Sequence, residues 1–445
     1  MRKIDTLIHA RWVLTMAPSD QVLEHHTIAI DQGTIIDCLP TKHCHAHYSA
    51  KNTVNRDNHI VTPGLINNHT HTPMNLMRGS ADDAPLMKWL NEHIWPAESR
   101  TITAETTKLG SMLAISEMIR TGTTCFNDHY GFPVSTREAV IESGIRASLG
   151  ISVLEPPCPW SKTATEAITE ARIILEEHQH SHPLVTWTLA PHAPYTVSDD
   201  SFTAIKNLSN DFEIPIHLHL SETQDEVDMS LEQYKMRPIQ RLDKLGLLDN
   251  RMIAVHMVHL TDQEIQLCAE RGCHVVHNPQ SNLKLGSGIA PIHQLNQAGV
   301  NISLGTDGAA SNNDLNMFTE MQTASLLSKG INQNPTALPA HEVYAMATIN
   351  AAKSLGIDDK VGSIEKGKQA DLIAIECDDY WQQPVYNPTA HLVYSANALS
   401  VSDSWVAGKA ILKDKKLTQI DTEALLAQVK ITTEQIRPFM YQRNN

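Results

Sequence analysis

The sequence predicts an α/β protein, in which a (β/α)8 TIM barrel is joined to a small β-sandwich domain formed by both chain termini. The chain has 445 residues, of which 41% are hydrophobic and 19% charged, as in a large globular protein. Its central part alternates short apolar runs with helical stretches, whereas both ends are rich in strand-forming residues. We therefore expect residues 1–58 and 362–445 to form the composite β-sandwich domain and residues 59–361 to form the barrel.

The two chain ends share the character of a β-domain. Near the amino end, β-branched residues in 4–16 and 27–37 predict strands, and a hairpin turn lies at 31–33. Near the carboxyl end, 362–376 and 405–412 read as strands and turns. A charged helix is expected near 422–436, and 43–47 reads as a polar surface loop despite its alternating histidines.

The central part contains eight strand candidates, the number that a TIM barrel needs. Helical apolar spacing fills the stretches between them, most clearly in 103–121, 164–177 and 261–271. A doubly wound open sheet is the rival fold, but the glycine-rich dinucleotide fingerprint is absent after the first strand. The candidate strands are 64–68, 123–126, 145–149, 184–189, 214–218, 252–255, 273–276 and 300–304.

Composition excludes several functional classes. Lys and Arg total 35 against 50 Asp and Glu, a net charge of −15, which argues against a nucleic-acid partner. The first residues lack the apolar core of a signal peptide, and no window is apolar enough to span a membrane. The seven cysteines form no C-x-x-C pair and suggest reduced thiols. We expect a cytoplasmic protein without a membrane partner.

Histidine is in excess, with 24 residues, and some of it falls at predicted strand ends. His69 and His71 end the first strand, where an i, i+2 spacing points both side chains to the same side. This pattern alone is a weak signal, because His43, His45 and His47 repeat it at the surface.

The fifth strand carries His217 and His219 on one face, so periodicity does not choose between them. We prefer His219 as a ligand because it lies nearer the strand end and because Glu222 follows at the barrel mouth. His217 is then a core histidine lower in the barrel.

The sixth and seventh strands add further histidines. His256 and His259 are three residues apart and face opposite sides, so only one of them points inward. We choose His256, which lies closer to the strand body, and expect His259 to pack or cap. His277 fits a pocket wall or a plain turn equally well, and His129 is another candidate for the pocket wall.

The eighth strand ends in Asp307, on the face opposite to the apolar Ile302 and Leu304. Gly305 leaves room beside this carboxylate, although Asp307 could instead cap the following helix. Three imidazoles and one carboxylate suit one divalent metal, most plausibly Zn²⁺ with an open position for water. Glu222 and His256 would then be the groups that handle protons in hydrolysis. The predicted metal ligands are His69, His71, His219 and Asp307.

The candidate site residues belong to a series of longer motifs along the chain. The motifs are 63–71 (PGLINNHTH), 73–79 (PMNLMRG), 89–90 (WL), 95–98 (WPAE), 191–195 (PHAPY), 219–222 (HLSE), 256–259 (HMVH), 277–279 (HNP), 281–286 (SNLKLG) and 305–307 (GTD). In this order they resemble the motifs of the amidohydrolase superfamily, and within it those of the methylthioadenosine/S-adenosylhomocysteine deaminase branch. The resemblance runs through nearly the whole chain.

This resemblance implies a hydrolytic deaminase that converts an adenine nucleoside to its inosine analogue and ammonia. It implies that Glu222 carries a proton to the ring nitrogen beside the amino-bearing carbon, and that His256 and Asp307 orient the attacking water and take its proton. It also implies that Glu98 holds the ribose hydroxyls and that His192 contacts the substrate. From the residues alone, Glu98 reads as a surface helix residue.

One difference from the family's pattern bears on the identity of the substrate. Members that accept S-adenosylhomocysteine are expected to offer an arginine to its carboxylate beyond the third strand. Here residues 150–157 (GISVLEPP) contain no arginine, and Glu155 is an acid. This favours 5′-methylthioadenosine or adenosine over S-adenosylhomocysteine.

Two alternatives stay open at this point. The same metal ligands would serve hydrolysis of another amino- or chloro-substituted heterocycle, such as guanine or an s-triazine. The barrel could also be a non-catalytic metal-binding scaffold, although the presence of Glu222 and His256 argues against this. The family further implies a homodimer and a small-molecule nucleoside as substrate. Besides Zn²⁺, the predicted ligand set also suits Fe²⁺, Mn²⁺ or Ni²⁺.

Overall fold

The computed structural model describes residues 1–17 and 21–440. Its strands form two eight-stranded sheets. They are β1 (Arg2–Leu14), β2 (Val22–Asp31), β3 (Thr34–Pro40), β4 (Tyr48–Pro63), β5 (Leu65–Thr70), β6 (Thr123–Tyr130), β7 (Arg146–Val153), β8 (Val185–Pro191), β9 (Ile216–Leu220), β10 (Met252–His256), β11 (His274–His277), β12 (Asn301–Leu304), β13 (Leu372–Glu376), β14 (Val401–Val406), β15 (Lys409–Lys413) and β16 (Lys416–Leu417).

The helices lie mostly between the strands of the second sheet. They are α1 (Thr41–His47), α2 (Leu86–Lys88), α3 (Trp95–Thr101), α4 (Ala104–Arg120), α5 (Pro133–Ser143), α6 (Ala164–His178), α7 (Asp199–Phe212), α8 (Gln224–Tyr234), α9 (Pro238–Lys244), α10 (Asp262–Arg271), α11 (Pro279–Lys284), α12 (Ile292–Gln297), α13 (Met317–Asn332), α14 (Ala340–Met346), α15 (Ile349–Ser354), α16 (Pro388–Tyr394) and α17 (Thr422–Ile436). Among the described residues, none of these helices combines the length and apolar character that crossing a bilayer requires.

Strands β5 to β12 form a parallel sheet in chain order, as in a TIM barrel. The barrel closes between its last and first strands through hydrogen bonds just beyond β12. The backbone amide of Asp307 donates to the carbonyl of His69 (2.9 Å), and the amide of Thr306 donates to the side chain of Asn67 (2.9 Å). All eight predicted strands are present, so the predicted barrel is confirmed.

The predicted helices are also present, as α4, α6, α10 and α17. The first three begin where a threonine caps the helix. The side-chain oxygens of Thr103, Thr163 and Thr261 each accept a hydrogen bond from the backbone amide three residues later. Such caps satisfy amides that have no partner inside the helix, which explains why these boundaries could be read from the sequence.

The other sheet unites the two chain ends, in the order β16-β15-β14-β13-β4-β1-β2-β3. Its amino- and carboxyl-terminal halves meet where β13 pairs antiparallel with β4. The predicted hairpin turn joins β2 and β3 through Gln32 and Gly33, both with positive φ. The β-domain predicted from both termini is therefore confirmed. Its boundary at residue 58 stays a prediction, since β4 runs on to Pro63.

The surface loop predicted at 43–47 is wrong. These residues belong to the short helix α1, which connects β3 to β4. His43, His45 and His47 are exposed, as expected, but Cys44 between them is fully buried. The polar composition hid the helix because only one of its residues faces the core.

Candidate metal centre and active site

The carboxyl ends of the barrel strands surround one cavity of about 230 Å³. Its floor carries titratable side chains from several strands, and its walls are largely apolar. The floor residues are His71, His129, His192, His219, Glu222, His256 and Asp307. The wall residues include Leu86, Trp89, Ile94, Trp95, Tyr130, Phe132, Leu154, Pro156, Pro157, Cys158, Pro159, Trp160, Tyr195 and Leu285.

Two histidines from the end of β5 meet the carboxylate that follows β12. Nε2 of His69 lies 3.2 Å from Oδ1 of Asp307, and Nε2 of His71 lies 3.1 Å from the same oxygen. The ligand atoms of these three residues all lie within 4.8 Å of one another. The closure of the barrel between β12 and β5 is what brings together residues more than 230 positions apart in the chain.

His219, at the end of β9, faces the same point. Its Nε2 lies 3.3 Å from Nε2 of His71. The ligand atoms of His69, His219 and His256 also lie within 4.8 Å of one another. The predicted ligands His69, His71, His219 and Asp307 thus converge at one place on the cavity floor.

The protonation of these imidazoles fits a metal. Nδ1 of His71 donates to the backbone carbonyl of His129 (2.5 Å), and Nδ1 of His219 donates to that of His192 (2.6 Å). A carbonyl can only accept, so in each neutral ring Nε2 carries a lone pair directed into the site. Nε2 of His69 is buried without a hydrogen-bond partner. Three imidazole nitrogens and one carboxylate oxygen make up a donor set that zinc accepts.

The carboxylate of Asp307 is held from its other side. Its Oδ2 accepts hydrogen bonds from the hydroxyls of Ser281 (2.6 Å) and Ser311 (3.0 Å). Its Oδ1 accepts from the backbone amide of Gly308 (2.9 Å). The contact with Gly308 resembles a helix cap, but no α-helix starts there, so the capping alternative does not explain the position of Asp307.

Glu222 and His256 form a second pair on the floor, with Oε2 of Glu222 3.6 Å from Nε2 of His256. The hydroxyl of Ser287 donates to Oε1 of Glu222 (3.0 Å), and the side-chain oxygen of Asn282 lies 2.8 Å from Nδ1 of His256. The carboxylate of Glu226 holds the turn that follows β9, because it accepts hydrogen bonds from the backbone amides of Ser221 and Glu222. Both groups are thus held by side chains outside the proposed metal ligands.

Burial and the contacts between neighbouring groups together set the protonation of the floor. Burial lowers the pKa of His69 to about 3, so this imidazole is neutral at physiological pH and available as a ligand. Burial raises the pKa of Glu222, and a raised pKa suits a carboxyl group that has to carry a proton. Burial would also raise the pKa of Asp307, but contacts with His69 and His71 outweigh it and hold the pKa well below its ordinary value.

The two residues assigned to the substrate by resemblance line the same cavity. Glu98 lies on α3, where the hydroxyl of Tyr130 donates to its Oε1, and burial raises its pKa to about 6. It is not the surface residue that its local sequence suggests. His192 follows β8, its Nδ1 lies 2.9 Å from the hydroxyl of Thr196, and burial lowers its pKa to about 4.

Four further histidines near the site occupy four different positions. His217 is fully buried, as expected for a core residue, and its Nε2 lies 3.0 Å from Nδ1 of His69. His129 lines the cavity and stacks on His219, with ring centroids 4.6 Å apart and both nitrogens unpartnered. His259 lies outside the cavity, with its Nε2 2.8 Å from the carbonyl of Ser287. His277 is buried but lines a different cavity.

Several side chains that support the site were missed from the sequence. Ser281 and Asn282 follow the HNP motif after β11, so their position at a strand end was an available signal. Ser287 and Ser311 lie in loops without a local signal. Tyr130 ends a buried strand and reads as an ordinary core residue.

Comparison with known proteins agrees with this architecture. Residues 60–411 match the model of the amidohydrolase family. A 5-methylthioadenosine/S-adenosylhomocysteine deaminase from Saccharophagus degradans is 41% identical over 435 residues, which are 97% of each chain. A 5′-deoxyadenosine deaminase from Methanothermobacter thermautotrophicus is 43% identical over 367 residues, which are 82% of this chain and 85% of that one.

A solved structure is similar along the whole chain. The adenosine deaminase from Xanthomonas campestris with bound zinc superposes with a TM-score of 0.96 and 43% sequence identity. The match covers 98% of this chain and 99% of that one. The fold is therefore shared with a zinc-bound relative, and the described part of this chain places histidines and a carboxylate where they could hold a metal.

Proposed function

Because the chain belongs to the amidohydrolase family, we propose that it is a hydrolytic deaminase of adenine nucleosides. Water replaces the 6-amino group of the purine, giving the inosine analogue and ammonia. The observation that carries this proposal is the convergence of His69, His71, His219 and Asp307 beside a carboxyl group, Glu222, on the floor of one cavity. The names of relatives at 41–43% identity support the same reaction.

We assign one divalent ion, Zn²⁺, to His69, His71, His219 and Asp307. The donor set and the zinc-bound relative support this assignment. When bound, such an ion would lower the pKa of a water far below its bulk value, to about 7, and so make hydroxide available at neutral pH. Hydrogen bonds from Ser281 and Ser311 to Oδ2 keep the other carboxylate oxygen of Asp307 turned toward the histidine ligands.

The proton transfers fall to three side chains. Glu222, whose raised pKa favours its protonated form, delivers a proton to N1 of the purine ring and makes C6 electrophilic. His256 and Asp307 orient the attacking water toward C6 and accept its proton. That proton passes to the leaving nitrogen, and the second proton of the attacking water returns to Glu222 as C6 becomes a carbonyl and ammonia leaves. Asn282 holds the ring of His256 through Nδ1, so that Nε2 faces Glu222.

Glu98 and His192 would orient the nucleoside above this floor. As a carboxylate, Glu98 can accept hydrogen bonds from both ribose hydroxyls while Tyr130 holds its Oε1. His192 is neutral, since its pKa is lowered to about 4, and can contact the substrate without adding charge.

The walls of the cavity favour a small or apolar 5′-substituent. None of the described residues that line the cavity is a lysine or arginine, so a carboxylate on the substituent would find no cation there. Pro156, Pro157 and Trp160 offer apolar surface instead. The acid Glu155 does not line the cavity and turns to the start of α7, where the hydroxyl of Ser201 donates to its carboxylate (2.7 Å). We propose 5′-methylthioadenosine or adenosine as the preferred substrate over S-adenosylhomocysteine.

The test is an ultraviolet assay with metal-loaded protein, in which adenine absorbance is followed as it converts to that of hypoxanthine. Adenosine, 5′-methylthioadenosine and S-adenosylhomocysteine are compared with guanine and an s-triazine as the competing substrate class. We expect turnover of the first two, and a lower kcat/KM for S-adenosylhomocysteine. Release of ammonia from guanine, or hydrolysis of the triazine, without turnover of any nucleoside would contradict the proposal.

Glu98→Ala separates nucleoside recognition from base recognition. If Glu98 holds the ribose, the variant raises KM for nucleosides and spares free bases such as adenine. Arg100→Ala is the matched control, because Arg100 is an exposed residue of the same helix and does not line the cavity. An equal loss on nucleosides and bases would contradict the assignment.

We also propose a homodimer and a cytoplasmic location. The described segment that follows β13 carries Tyr380 and Tyr386, each 91% exposed, which supports an interface between copies. Sedimentation of the purified protein tests the dimer. Seven free thiols support a reducing compartment, and fractionation of cells tests the location.

A further inference from the structure

A second group of metal-binding side chains lies in the terminal β-domain. His9 is on β1, and Cys44 and His45 are on α1, where Cys44 packs in one apolar cluster with Ile4 and Leu7 of β1. One ligand atom from each of the three residues lies within 4.8 Å of the other two. We propose that His9, Cys44 and His45 form a second metal site, which binds a divalent ion of the zinc class independently of the barrel centre.

The ring of His9 is oriented for coordination. Its Nδ1 lies 2.6 Å from the hydroxyl oxygen of Thr27. That hydroxyl donates its own hydrogen to Thr41 (3.0 Å), so toward His9 it can only accept. Nδ1 of His9 therefore carries the hydrogen, and Nε2 keeps its lone pair for a metal. A hydrogen bond at the non-coordinating nitrogen is the usual companion of a histidine ligand.

The three side chains range from fully buried to exposed. Cys44 is fully buried in an apolar cluster with Ile4, Leu7 and Ala29, and His9 is 7% exposed. His45 is exposed, and its ring meets that of His9 edge to face at 5.9 Å between centroids. An ion can thus enter from solvent past His45 and bind Cys44, whose thiol releases its proton to water as the sulfur–metal bond forms.

The donor set determines the class of metal. A thiolate and two imidazoles suit Zn²⁺ or Co²⁺ and do not suit Mg²⁺ or Ca²⁺, which prefer oxygen. Three protein ligands leave a fourth position for water on the exposed side. The ion would tie α1 to β1, whereas the hydroxyl pair of Thr27 and Thr41 joins α1 to the neighbouring strand β2.

The sulfur ligand makes the site separable from the barrel centre by spectroscopy. The proposed barrel ligands supply no sulfur, so a thiolate-to-cobalt charge-transfer band can only come from a cysteine site. We would strip metal from the full-length protein, titrate it with Co²⁺, and record both bound metal per chain and this band. The proposal expects two bound ions per chain and one band.

Variants assign the site to its residues. Cys44→Ser should abolish the band and remove one ion per chain. His45→Ala should weaken the second ion at least tenfold, and because His45 is exposed this variant tests the site even if Cys44→Ser fails to fold. His43→Ala and His47→Ala are matched controls on the same helix and should keep both ions.

Deaminase activity of His45→Ala, assayed with the barrel metal in place, should equal that of the wild type. One ion per chain without a thiolate band would overturn the proposal. So would a band that persists in Cys44→Ser, or a second ion whose affinity is unchanged in His45→Ala, since its ligands would then lie elsewhere in the chain.

Discussion

Single residues at the barrel mouth hold unusual backbone conformations. Ser221, His256, Met257 and Asp307 have φ values of +52°, +73°, +50° and +66°, in the left-handed region that non-glycine residues rarely adopt. Each costs about 1–3 kcal/mol and persists only where neighbouring contacts impose it. Here the amide of Met257 is held by the carbonyl of Leu220, and the amide of Asp307 by that of His69. The strain turns the chain at the strand ends where the proposed catalytic groups lie.

Glu222→Gln tests the proton carrier. The amide has nearly the same shape but cannot deliver a proton as a carboxylic acid does, so kcat should fall by about 10²–10⁴-fold. Bound metal per chain should stay constant, because Glu222 is not among the proposed ligands. Steady-state kinetics and metal analysis measure the two effects.

The control for this variant is Glu232→Gln, which makes the same change at an exposed position on α8. It should leave kcat unchanged. If Glu222→Gln retained wild-type turnover, another group would have to protonate the purine. If the variant lost its metal, Glu222 would belong to the metal site instead.

The ionisation of Glu98 predicts how substrate recognition depends on pH. Burial raises the pKa of this carboxyl to about 6, so it is a carboxylate above that value and a neutral acid below it. The neutral acid accepts hydrogen bonds less well, and kcat/KM for nucleosides should therefore fall as the pH drops through about 6. In Glu98→Gln, the fall in kcat/KM near pH 6 should disappear, while inflections of the pH profile that come from other groups remain. An inflection that persists in the variant would assign it to a different group.

At the scale of the elements, strand positions could be predicted but their exact ends could not. Short apolar runs bounded by polar residues identified all eight barrel strands. The alternation assumed for Asn301 to Asp307, however, treats the whole segment as a strand, whereas β12 ends at Leu304. Asp307 reaches the site because the chain turns after β12, with positive φ at that residue. The prediction placed the carboxylate on the correct side by assuming a simpler geometry.

Gly305 lies in this turn, and its lack of a side chain is required by the neighbouring strand. A Cβ at this position would lie 2.7 Å from both the backbone nitrogen and the Cβ of His69. Gly305→Ala should therefore push β12 away from β5, lower the free energy of unfolding by about 1–3 kcal/mol, and reduce bound metal. Chemical denaturation and metal analysis of the purified variant check this.

Gly330→Ala is the matched control, because it lies within α13 and a Cβ there meets nothing within 4 Å. It should stabilise the protein by about 0.5–1 kcal/mol through the higher helix propensity of alanine. A Gly305→Ala variant that kept full stability and metal would show that the barrel closure tolerates a wider separation of β12 and β5.

At the scale of the whole molecule, the contacts that sequence reasoning missed join residues far apart in the chain. His217 bonds to His69 across 148 positions, and nothing in the local pattern of either strand specifies this pairing. Tyr130 reaches Glu98 from a neighbouring strand, which makes a helix residue that looks exposed part of the cavity. Local periodicity determines which face a side chain occupies, whereas such pairs depend on how the closed barrel positions one element against another.

The junction between the barrel and the terminal sheet also depends on contacts that local sequence patterns do not specify. Arg146, at the start of β7, pairs with Asp371, just before β13, through Nε–Oδ2 at 2.8 Å and Nη2–Oδ1 at 3.1 Å. Each residue is 4% exposed. Asp371 also accepts the backbone amide of Ala407 (2.7 Å), so one carboxylate connects the barrel to two segments of the sheet.

Removal of the guanidinium should therefore destabilise the molecule strongly. Arg146→Met leaves the Asp371 carboxylate buried without its cation and should cost about 3–5 kcal/mol in unfolding free energy. Arg172→Met breaks a pair with Asp211 of similar length, 2.7 Å, whose two side chains are about half exposed, and should cost less than about 1 kcal/mol. Urea unfolding of both metal-loaded variants, followed by circular dichroism, compares them directly. Equal losses would mean that water reaches the Arg146–Asp371 pair, and that its burial adds no stability to the junction.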